Sequence, residues 1–381
     1  MRACSSCLRR ARMLVELGPG LDRRFRGRRV PGILALEDHE LVAAAGDRGQ
    51  GPPPALAASE DALLSAAAAD EREHGVEAVC RHDAAYPPRL QGLFDPPHVL
   101  HVLGGVERLQ AALDPDAVRA TVAIVGSRKA PEESRQVARD LAEALAAVGV
   151  AVVSGMAFGI DAAAHEGALA ATARGGARTI AVLAGGVERP SPATLRVLHR
   201  RIGREGVVVG ELPPGTTPRK WGFPARNRII AGLADATIVV AAARGSGSLI
   251  TADLAQGAGR VLAAVPGPVR SPRHAGTNDL IRGPEPDAQV VCEPRDVLAL
   301  LGLDEQLALE LGARDPLVGL EGGARTVAEA LLAGPTTIER LVAEHDAAAV
   351  LAGLGQLEAT GRLRRALTGE LELVPAGTRR A

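Results

Sequence analysis

The sequence predicts an α/β fold, in which a doubly wound and mostly parallel sheet is covered by helices on both faces. Short β-branched runs alternate with helical patterns through the middle of the chain, as repeated βαβ units require. Runs such as Ile238-Val239-Val240 are apolar on both sides, which is typical of buried parallel strands. The pattern changes on either side of this middle segment, which indicates additional domains at both ends.

Residues 75–302 supply the predicted sheet. Its strand candidates are Val76–Cys80, His98–Leu103, Thr121–Val125, Val150–Val153, Thr179–Leu183, Gly206–Val209, Ala236–Val240, Val261–Val265 and Gln289–Val291. The helices predicted between them are Glu132–Val148, Asp161–Thr172, Ala193–Ile202, Arg226–Leu233 and Ser248–Gly257.

Two smaller domains are predicted beside the sheet. Residues 1–74 are helical and rich in Arg, and residues 303–321 form a linker. Residues 322–377 contain three helical patterns followed by two strand patterns, which is the order of a winged helix. These five elements are Thr326–Leu332, Ile338–Glu344, Ala347–Thr360, Leu363–Leu367 and Leu371–Val374.

Composition excludes several classes of protein. The chain has 381 residues, of which 46% are hydrophobic and 23% charged, so it contains enough apolar material for a folded core. Its net charge of −1 excludes a surface uniformly coated with basic side chains. No run of eighteen apolar residues and no signal-peptide core are present, so we expect a cytoplasmic protein without a membrane segment.

Cysteine spacing and missing motifs argue against a cofactor. Cys4-Ser-Ser-Cys7 is half of a zinc-knuckle pattern, but a second CxxC and a suitably spaced His pair are both missing. We therefore predict no metal site. The chain also lacks a Walker A motif, a dinucleotide fingerprint followed by an acid, and the HExxH and GxSxG motifs.

Small residues follow one predicted strand after another. In a doubly wound sheet the carboxyl ends of the parallel strands share one edge, where backbone N–H groups and helix N-termini bind anions. The turns therefore predict an extended, phosphate-rich ligand, although βα turns use Gly for conformational reasons in any case. The turns are Gly126-Ser127-Arg128, Ser154-Gly155, Gly185-Gly186, Gly210-Glu211, Arg244-Gly245-Ser246-Gly247-Ser248 and Pro266-Gly267.

Local charge favours the same interpretation. Residues 215–275 carry eight cationic and two acidic side chains, a net charge of +6. Arg226-Asn227-Arg228 is predicted to open a helix, where cations oppose the dipole unless an anion binds. Trp221 and Phe223 lie beside this cluster, and either core packing or stacking on a base would explain them.

These segments together resemble the DNA-processing protein A family, also called Smf. The resemblance extends in family order over about 200 residues, with YPPRL and DPP upstream at 86–97. The matching stretches are VAIVGSR (122–128), VVSGMAFGIDAAAH (152–165), TIAVLAGGV (179–187), FPARNRIIAGLA (223–234), SGSLITADLA (246–255) and AVPGPV (264–269).

The resemblance implies a Rossmann-like domain that binds single-stranded DNA without sequence specificity. It also implies a non-catalytic homodimer that helps to load RecA recombinase onto incoming strands during natural transformation. Arg128 would contact phosphate, and Arg244 belongs to the same predicted cationic track. The remaining groove residues would be Ser127, Gly155, Gly159, Arg226, Asn227, Arg228, Ser246, Gly247 and Ser248.

The chain departs from the family pattern at several of these positions. Phe158 stands where the family usually has Lys or Arg, so one phosphate contact is replaced by a ring able to stack on a base. Ala241-Ala242-Ala243 lacks the Glu that usually ends this strand. We therefore expect weaker DNA binding than in a typical member.

Two alternative functions remain open from the sequence. Related sheets with Gly-rich turns cleave nucleotides, and Glu211, Asp161 and His165 would be the catalytic candidates of such a hydrolase. The winged helix would suit a transcription regulator, although Gln356 is almost the sole base-reading side chain of its third helix.

Overall fold

A computed structural model describes residues 2–25, 32–46, 52–282, 286–303, 317, 320–334, 336–360, 362–365 and 369–373. The chain forms two compact units, Met1–Leu303 and Asp304–Ala381. Most of the predicted linker, residues 303–321, lies outside the described residues. None of the described helices combines the length and the apolar character that a membrane crossing requires.

The predicted sheet is confirmed as a nine-stranded sheet within the described residues of the first unit. Its strands are β1 (Val76–Cys80), β2 (Val99–Leu103), β3 (Ala120–Val125), β4 (Val150–Ser154), β5 (Thr179–Leu183), β6 (Val207–Gly210), β7 (Ala236–Val239), β8 (Val261–Ala264) and β9 (Gln289–Val290). They are ordered β1-β2-β6-β5-β4-β3-β7-β8-β9. Strands β3 to β9 pair in parallel, whereas β1 pairs antiparallel with β2, and β2 with β6.

Helices occupy the segments between the strands, as expected for a doubly wound sheet. The first unit contains α1 (Ser5–Phe25), α2 (Asp38–Ala45), α3 (Pro54–Ala57), α4 (Glu60–His74), α5 (Pro88–Gln91), α6 (Val106–Leu113), α7 (Glu132–Ala147), α8 (Ile160–Thr172), α9 (Arg196–Glu205), α10 (Gly222–Leu233), α11 (Gly247–Gly257), α12 (Ala275–Leu280) and α13 (Pro294–Leu300). Helix α9 follows a short 3₁₀ turn, Ala193–Leu195.

Helix α10 begins four residues earlier than predicted. Pro224 lies in its first turn, where a missing backbone N–H costs nothing because no intrahelical acceptor is available there. Arg226 and Arg228 consequently lie beyond the first turn. The expectation that they open the helix against its dipole is therefore wrong.

Both faces of the sheet are buried. Ile180 and Val182 of β5 pack with Ile229 and Ile230 of α10 in the largest apolar cluster. The alternating residues Ala181 and Leu183 belong to a second cluster, which contains residues of α8 and α9. A strand buried on both sides is apolar at most of its positions, as the sequence indicated.

The N-terminal helices pack against the sheet unit and are part of the same compact unit. Leu14 and Leu17 of α1 share an apolar cluster with Trp221, which is 6% exposed. Of the two uses open to this ring, the structure therefore supports core packing. The backbone N–H of Trp221 donates to the Asp22 carboxylate at 2.8 Å, near the end of α1.

The second unit contains the predicted elements in the predicted order. They are α14 (Gly322–Leu332), α15 (Ile338–Glu344), α16 (Ala347–Ala359), β10 (Leu363–Arg365) and β11 (Leu371–Leu373). The two strands pair antiparallel, and Leu371 is buried among side chains of the three helices. Assignment of this unit as a winged helix stays a prediction.

Helices α7 and α8 approach each other closely at Gly167, which leads to a first prediction. A Cβ at Gly167 would lie 2.0 Å from the carbonyl oxygen of Arg139, so the helices would have to separate. We expect Gly167→Ala to lower the free energy of unfolding by about 1–3 kcal/mol in equilibrium denaturation.

The matched control is Gly257→Ala, at the exposed last residue of α11, where an added Cβ meets nothing within 4 Å. Helix propensity alone predicts a change between zero and a gain of about 1 kcal/mol there. Equal effects of the two substitutions would contradict close packing of α7 against α8.

Candidate functional site

A cleft of about 590 Å³ lies at the point where the winding of the sheet reverses. Strands β3 and β7 are neighbours in parallel register, but the chain continues from β3 to one side of the sheet and from β7 to the other. The connections that leave these two strand ends therefore separate, and a crevice opens at the carboxyl edge. The turn after β3 and the N-terminal halves of α10 and α11 line it.

The turn after β3 is held by backbone contacts. The N–H of Ser127 donates to the carbonyl of Ala241 at 2.7 Å, and Ser127 Oγ accepts from the N–H of Lys129 at 3.1 Å. Gly159 has a φ of +79°, and a Cβ there would lie 2.2 Å from the carbonyl oxygen of Ser127. Gly159 therefore packs directly against the backbone of the turn, which leaves no room for a side chain there. Arg128 and Lys129 are exposed at the tip of the turn.

The N-terminus of α11 forms the opposite wall. Ser246 caps the helix, and its Oγ accepts from the N–H of Ser248 at 3.5 Å. The side-chain amide of Asn227 donates to the carbonyl of Gly247 at 3.3 Å, which joins α10 to this helix end. An eleven-residue helix directs its positive end towards the cleft, where it favours an anion.

Cations outnumber acids on the lining. Arg128, Lys129, Lys220 and Arg226 line the cleft, and Asp161 is the acidic residue among the lining side chains that the structure describes. The guanidinium of Arg128 lies 5.0 Å from the centre of the Phe223 ring, a cation–π distance. Within the described part of the chain, Arg128, Lys129 and Lys220 form no salt bridge. Their charge is therefore available to a ligand.

Arg226 is buried beneath the cleft and positions its floor. Its guanidinium donates to the carbonyl of Gly155 at 2.6 Å and also to the carbonyl of Val182. Burial lowers the pKa of Arg226 to about 10, and burial raises the pKa of Asp161 despite the nearby Arg226 charge. Gly155 is required by this contact, because a Cβ would lie 2.6 Å from the guanidinium nitrogens.

A smaller cleft of about 120 Å³ continues the first one. The two clefts share Arg128, Ala157, Phe223 and Arg226, and the second extends to Phe158 and Pro192. Phe158 is 45% exposed, which is unusual for a large apolar ring. We call the two clefts together the β3–β7 groove.

The structure brings most of the predicted site residues to this groove. Gly159 supports it from below, and two of the predicted arginines do not line it. The residues that line it are Ser127, Arg128, Gly155, Phe158, Arg226, Asn227, Ser246, Gly247 and Ser248.

Arg228 requires a correction. Its side chain is 2% exposed, and it donates to Glu211 at 2.7 Å and to the backbone carbonyl of Asp95 at 2.7 Å. The Asp95 carboxylate lies 3.6 Å from the same guanidinium. Because burial between two acids neutralises the charge and excludes solvent, Arg228 stabilises the fold and does not face a ligand.

Arg244 also differs from its prediction. It is exposed but forms a bidentate ion pair with Asp279 of α12, at 2.5 and 3.0 Å. This pairing raises the pKa of Arg244 and lowers that of Asp279. Arg260 directly precedes β8, so it lies at the amino ends of the parallel strands, whereas the cleft lies at their carboxyl ends. The cations of residues 215–275, with their net charge of +6, therefore do not form a single surface.

The acids and the histidine proposed for a hydrolase are not assembled into one site. Glu211 is bound to Arg228, whereas Asp161 lines the groove. The Nδ1 atom of His165 lies 2.7 Å from the Thr179 hydroxyl, and burial lowers the pKa of His165 to about 3. A histidine with so low a pKa stays neutral near pH 7 and is poorly matched to acid–base catalysis there.

Sequence reasoning missed Lys129 as a groove residue. Lys129 and Lys220 are the two lysines of the chain, and both line the groove. The position of Lys129 directly after Gly126-Ser127-Arg128 was the available signal.

The fold and the groove define a Rossmann-like α/β protein with a cationic site suited to a phosphate-bearing ligand. The chain belongs to the DNA recombination-mediator protein A family, whose sequence pattern matches residues 77–302.

Individual relatives support this membership. The DprA protein of Mycobacterium tuberculosis is 40% identical over 293 residues, which cover 75% of this chain and 71% of the relative. The DNA processing protein DprA of Bacillus subtilis is 36% identical over 211 residues, which cover 55% of this chain and 67% of the relative. The crystal structure of DprA from Streptococcus pneumoniae superposes with a TM-score of 0.56 at 28% identity, over 78% of this chain and 98% of that one.

The different environments of Arg228 and Arg244 give a second prediction. Arg228→Met keeps the side-chain volume but leaves Glu211 and Asp95 buried without their cation. We expect it to lower the free energy of unfolding by about 3–5 kcal/mol in chemical denaturation.

Arg244→Met is the matched control, since the same change removes an ion pair on the surface, where solvent screens the charges, and we expect the free energy of unfolding to stay almost unchanged. If both variants were equally stable, Arg228 would not have the structural role assigned to it.

Proposed function

We propose that this protein is a non-catalytic mediator of recombination that binds single-stranded DNA in the β3–β7 groove. The observation that carries the proposal is a set of exposed cations, Arg128, Lys129 and Lys220, that line one groove and form no salt bridge with any residue that the structure describes. Membership in a family of DNA recombination mediators supports it.

The backbone of the strand would be held by charge and by hydrogen bonds. The three exposed cations neutralise phosphates and release counterions, which makes binding depend on salt. Neutral donors at the N-terminus of α11, beside Ser246 and Gly247, add hydrogen bonds that the helix dipole strengthens. Contacts of this kind recognise a backbone and carry no sequence information.

The bases would contact the two aromatic rings of the groove. Phe158 is exposed at one end, and Phe223 is half-buried beneath Arg128. A phenyl ring stacks on any base, at roughly 1–3 kcal/mol per base, but only where the base is not already paired and stacked in a duplex. The groove therefore favours single strands over duplex DNA.

The finer parts of the proposal concern partners. We infer that the protein acts in the cytoplasm as a homodimer and helps to load RecA recombinase onto incoming strands during natural transformation. A protein that neutralises only a few phosphates leaves most of a strand accessible, as a loading factor must. Light scattering of the purified chain measures its oligomeric state directly.

DNA binding is tested with a third prediction. We expect Arg128→Ala with Lys129→Ala to weaken binding of a labelled oligothymidine roughly tenfold per side chain at low salt, or about 1.4 kcal/mol each. The log–log salt slope should become shallower by about 0.7 for each phosphate that is no longer neutralised. Fluorescence anisotropy across a salt series measures both quantities, with a duplex of equal length for comparison.

The control is Arg204→Ala, which removes an exposed cation, paired with Glu205, from α9, outside the groove. It should leave the affinity and the salt slope unchanged. An unchanged slope in the double variant, with the fold intact by circular dichroism, would refute the assignment of the groove.

RecA loading is tested with a fourth prediction. On DNA coated with single-strand-binding protein, we expect the chain to shorten the lag before RecA begins ATP hydrolysis, because it provides a nucleation site. The Arg128 and Lys129 double variant should leave the lag long. If the wild-type chain bound single-stranded DNA in the anisotropy assay but did not shorten the lag, the loading step would be excluded. The assignment of DNA binding to the groove would then still hold.

A further inference from the structure

Four metal-ligating side chains converge outside the β3–β7 groove. They are Cys4, Cys7, Cys80 and His82, and their ligand atoms all lie within 4.8 Å of one another. None of the four lines the clefts described above. The prediction of no metal site rested on the lack of a second motif near Cys4 and Cys7, and the fold supplies the missing ligands from residues 80 and 82.

Four of the six distances within the cluster match the edges of a tetrahedron around one ion. The Nδ1 atom of His82 lies 3.5 Å from the Sγ atoms of Cys4 and Cys7 and 3.9 Å from that of Cys80. The Sγ atoms of Cys4 and Cys80 are 3.9 Å apart. Tetrahedral zinc, with Zn–S of about 2.3 Å and Zn–N of about 2.0–2.1 Å, places sulfurs about 3.8 Å apart and sulfur and nitrogen about 3.6 Å apart.

Backbone structure brings the ligands together. Cys4 precedes α1, and Cys7 lies in its first turn. Cys80 ends β1, and its N–H donates to the carbonyl of Arg2 at 3.0 Å, within a bridge between the N-terminal segment and this strand. A turn closed by the N–H of Asp83 on the carbonyl of Cys80, at 2.9 Å, carries His82.

Core packing does not account for the cluster. Cys7 and Cys80 are buried in an apolar cluster with Leu8 and Leu63, as unreactive cysteines often are. Cys4 packs against the edge of the same cluster and is only partly buried, whereas His82 is exposed. Apolar burial thus accounts for Cys7 and Cys80 and in part for Cys4, but it does not explain why an exposed His82 ring lies 3.5 Å from the Sγ atoms of Cys4 and Cys7.

We propose that Cys4, Cys7, Cys80 and His82 bind one structural Zn²⁺ ion. Three thiolates and an imidazole are soft ligands that suit zinc and not Mg²⁺ or Ca²⁺, and four protein ligands leave no open position for catalysis. The three thiols release their protons to solvent on binding, and His82 coordinates through Nδ1 as a neutral ring. The ion joins the start of α1 to the end of β1.

The site also has an outer partner. The hydroxyl of Ser6 lies 3.2 Å from the Sγ atom of Cys4 and donates to the thiolate in the metal-bound state. Outer hydrogen bonds of this kind orient a ligand and typically change metal affinity by roughly 10- to 100-fold. Ser6 therefore belongs to the zinc site as a positioning residue.

The fifth prediction is tested on the full chain, purified without a histidine tag and without chelator. Mass spectrometry of the metal content should find about one zinc per chain, as a site of four protein ligands requires. His82→Ala should lose this zinc, and because His82 is exposed the variant retains its packing. His82→Cys should keep the ion in a four-cysteine site, and Cys292→Ser, at an exposed cysteine outside the cluster, should retain it fully.

A second measurement follows stability. A strong chelator should lower the melting temperature of the wild-type chain and leave that of His82→Ala unchanged, because binding energy at such sites is folding energy. Three results would each overturn the proposal. They are a chain free of zinc after purification in zinc-containing buffer, iron in place of zinc, and a disulfide among Cys4, Cys7 and Cys80 in the protein as purified.

Discussion

The groove depends on the parallel pairing of β3 with β7. This pairing places two strand ends side by side, and the hydrogen bond from Ser127 to Ala241 fixes the turn that follows β3. Gly126 is needed at this point because a Cβ would lie 2.9 Å from the Ala241 carbonyl and 2.6 Å from Ile160. With the strand ends fixed, the connections diverge, and the lining residues that follow β3 and β7 take their positions from that divergence.

Charge on this protein is organised locally. The chain as a whole is almost neutral, yet its groove concentrates cations that have no salt bridge among the described residues. Arg226 and Arg228 are two residues apart on α10 and differ completely in environment, since one donates to backbone carbonyls under the groove and the other is bound between two acids. A low net charge limits non-specific attraction of nucleic acid to the rest of the surface, while the groove retains a strong local field.

Local sequence patterns predicted the strands, most helices and the turns that form the groove. The strands and the turns could be predicted because each depends on a short-range feature. β-branched runs mark the strands, and small residues at the strand ends mark the turns. The pairing of Arg228 with Glu211 and of Arg244 with Asp279 could not be predicted, because the partners are distant in the chain and meet only in the fold. The convergence of Cys4 with His82 was hidden for the same reason. The start of α10 was predicted too late because Pro224 was expected to precede the helix, whereas the first turn of a helix tolerates a proline.

The placement of both lysines in the groove has a chemical consequence. Besides the α-amino group of the chain, Lys129 and Lys220 are the primary amines of this protein. Reagents that acylate amines therefore mark the groove without engineering, and peptide mapping of the modified chain reports whether a ligand shields it. The rarity of one residue type thus gives the molecule an intrinsic footprinting label at the surface of greatest functional interest.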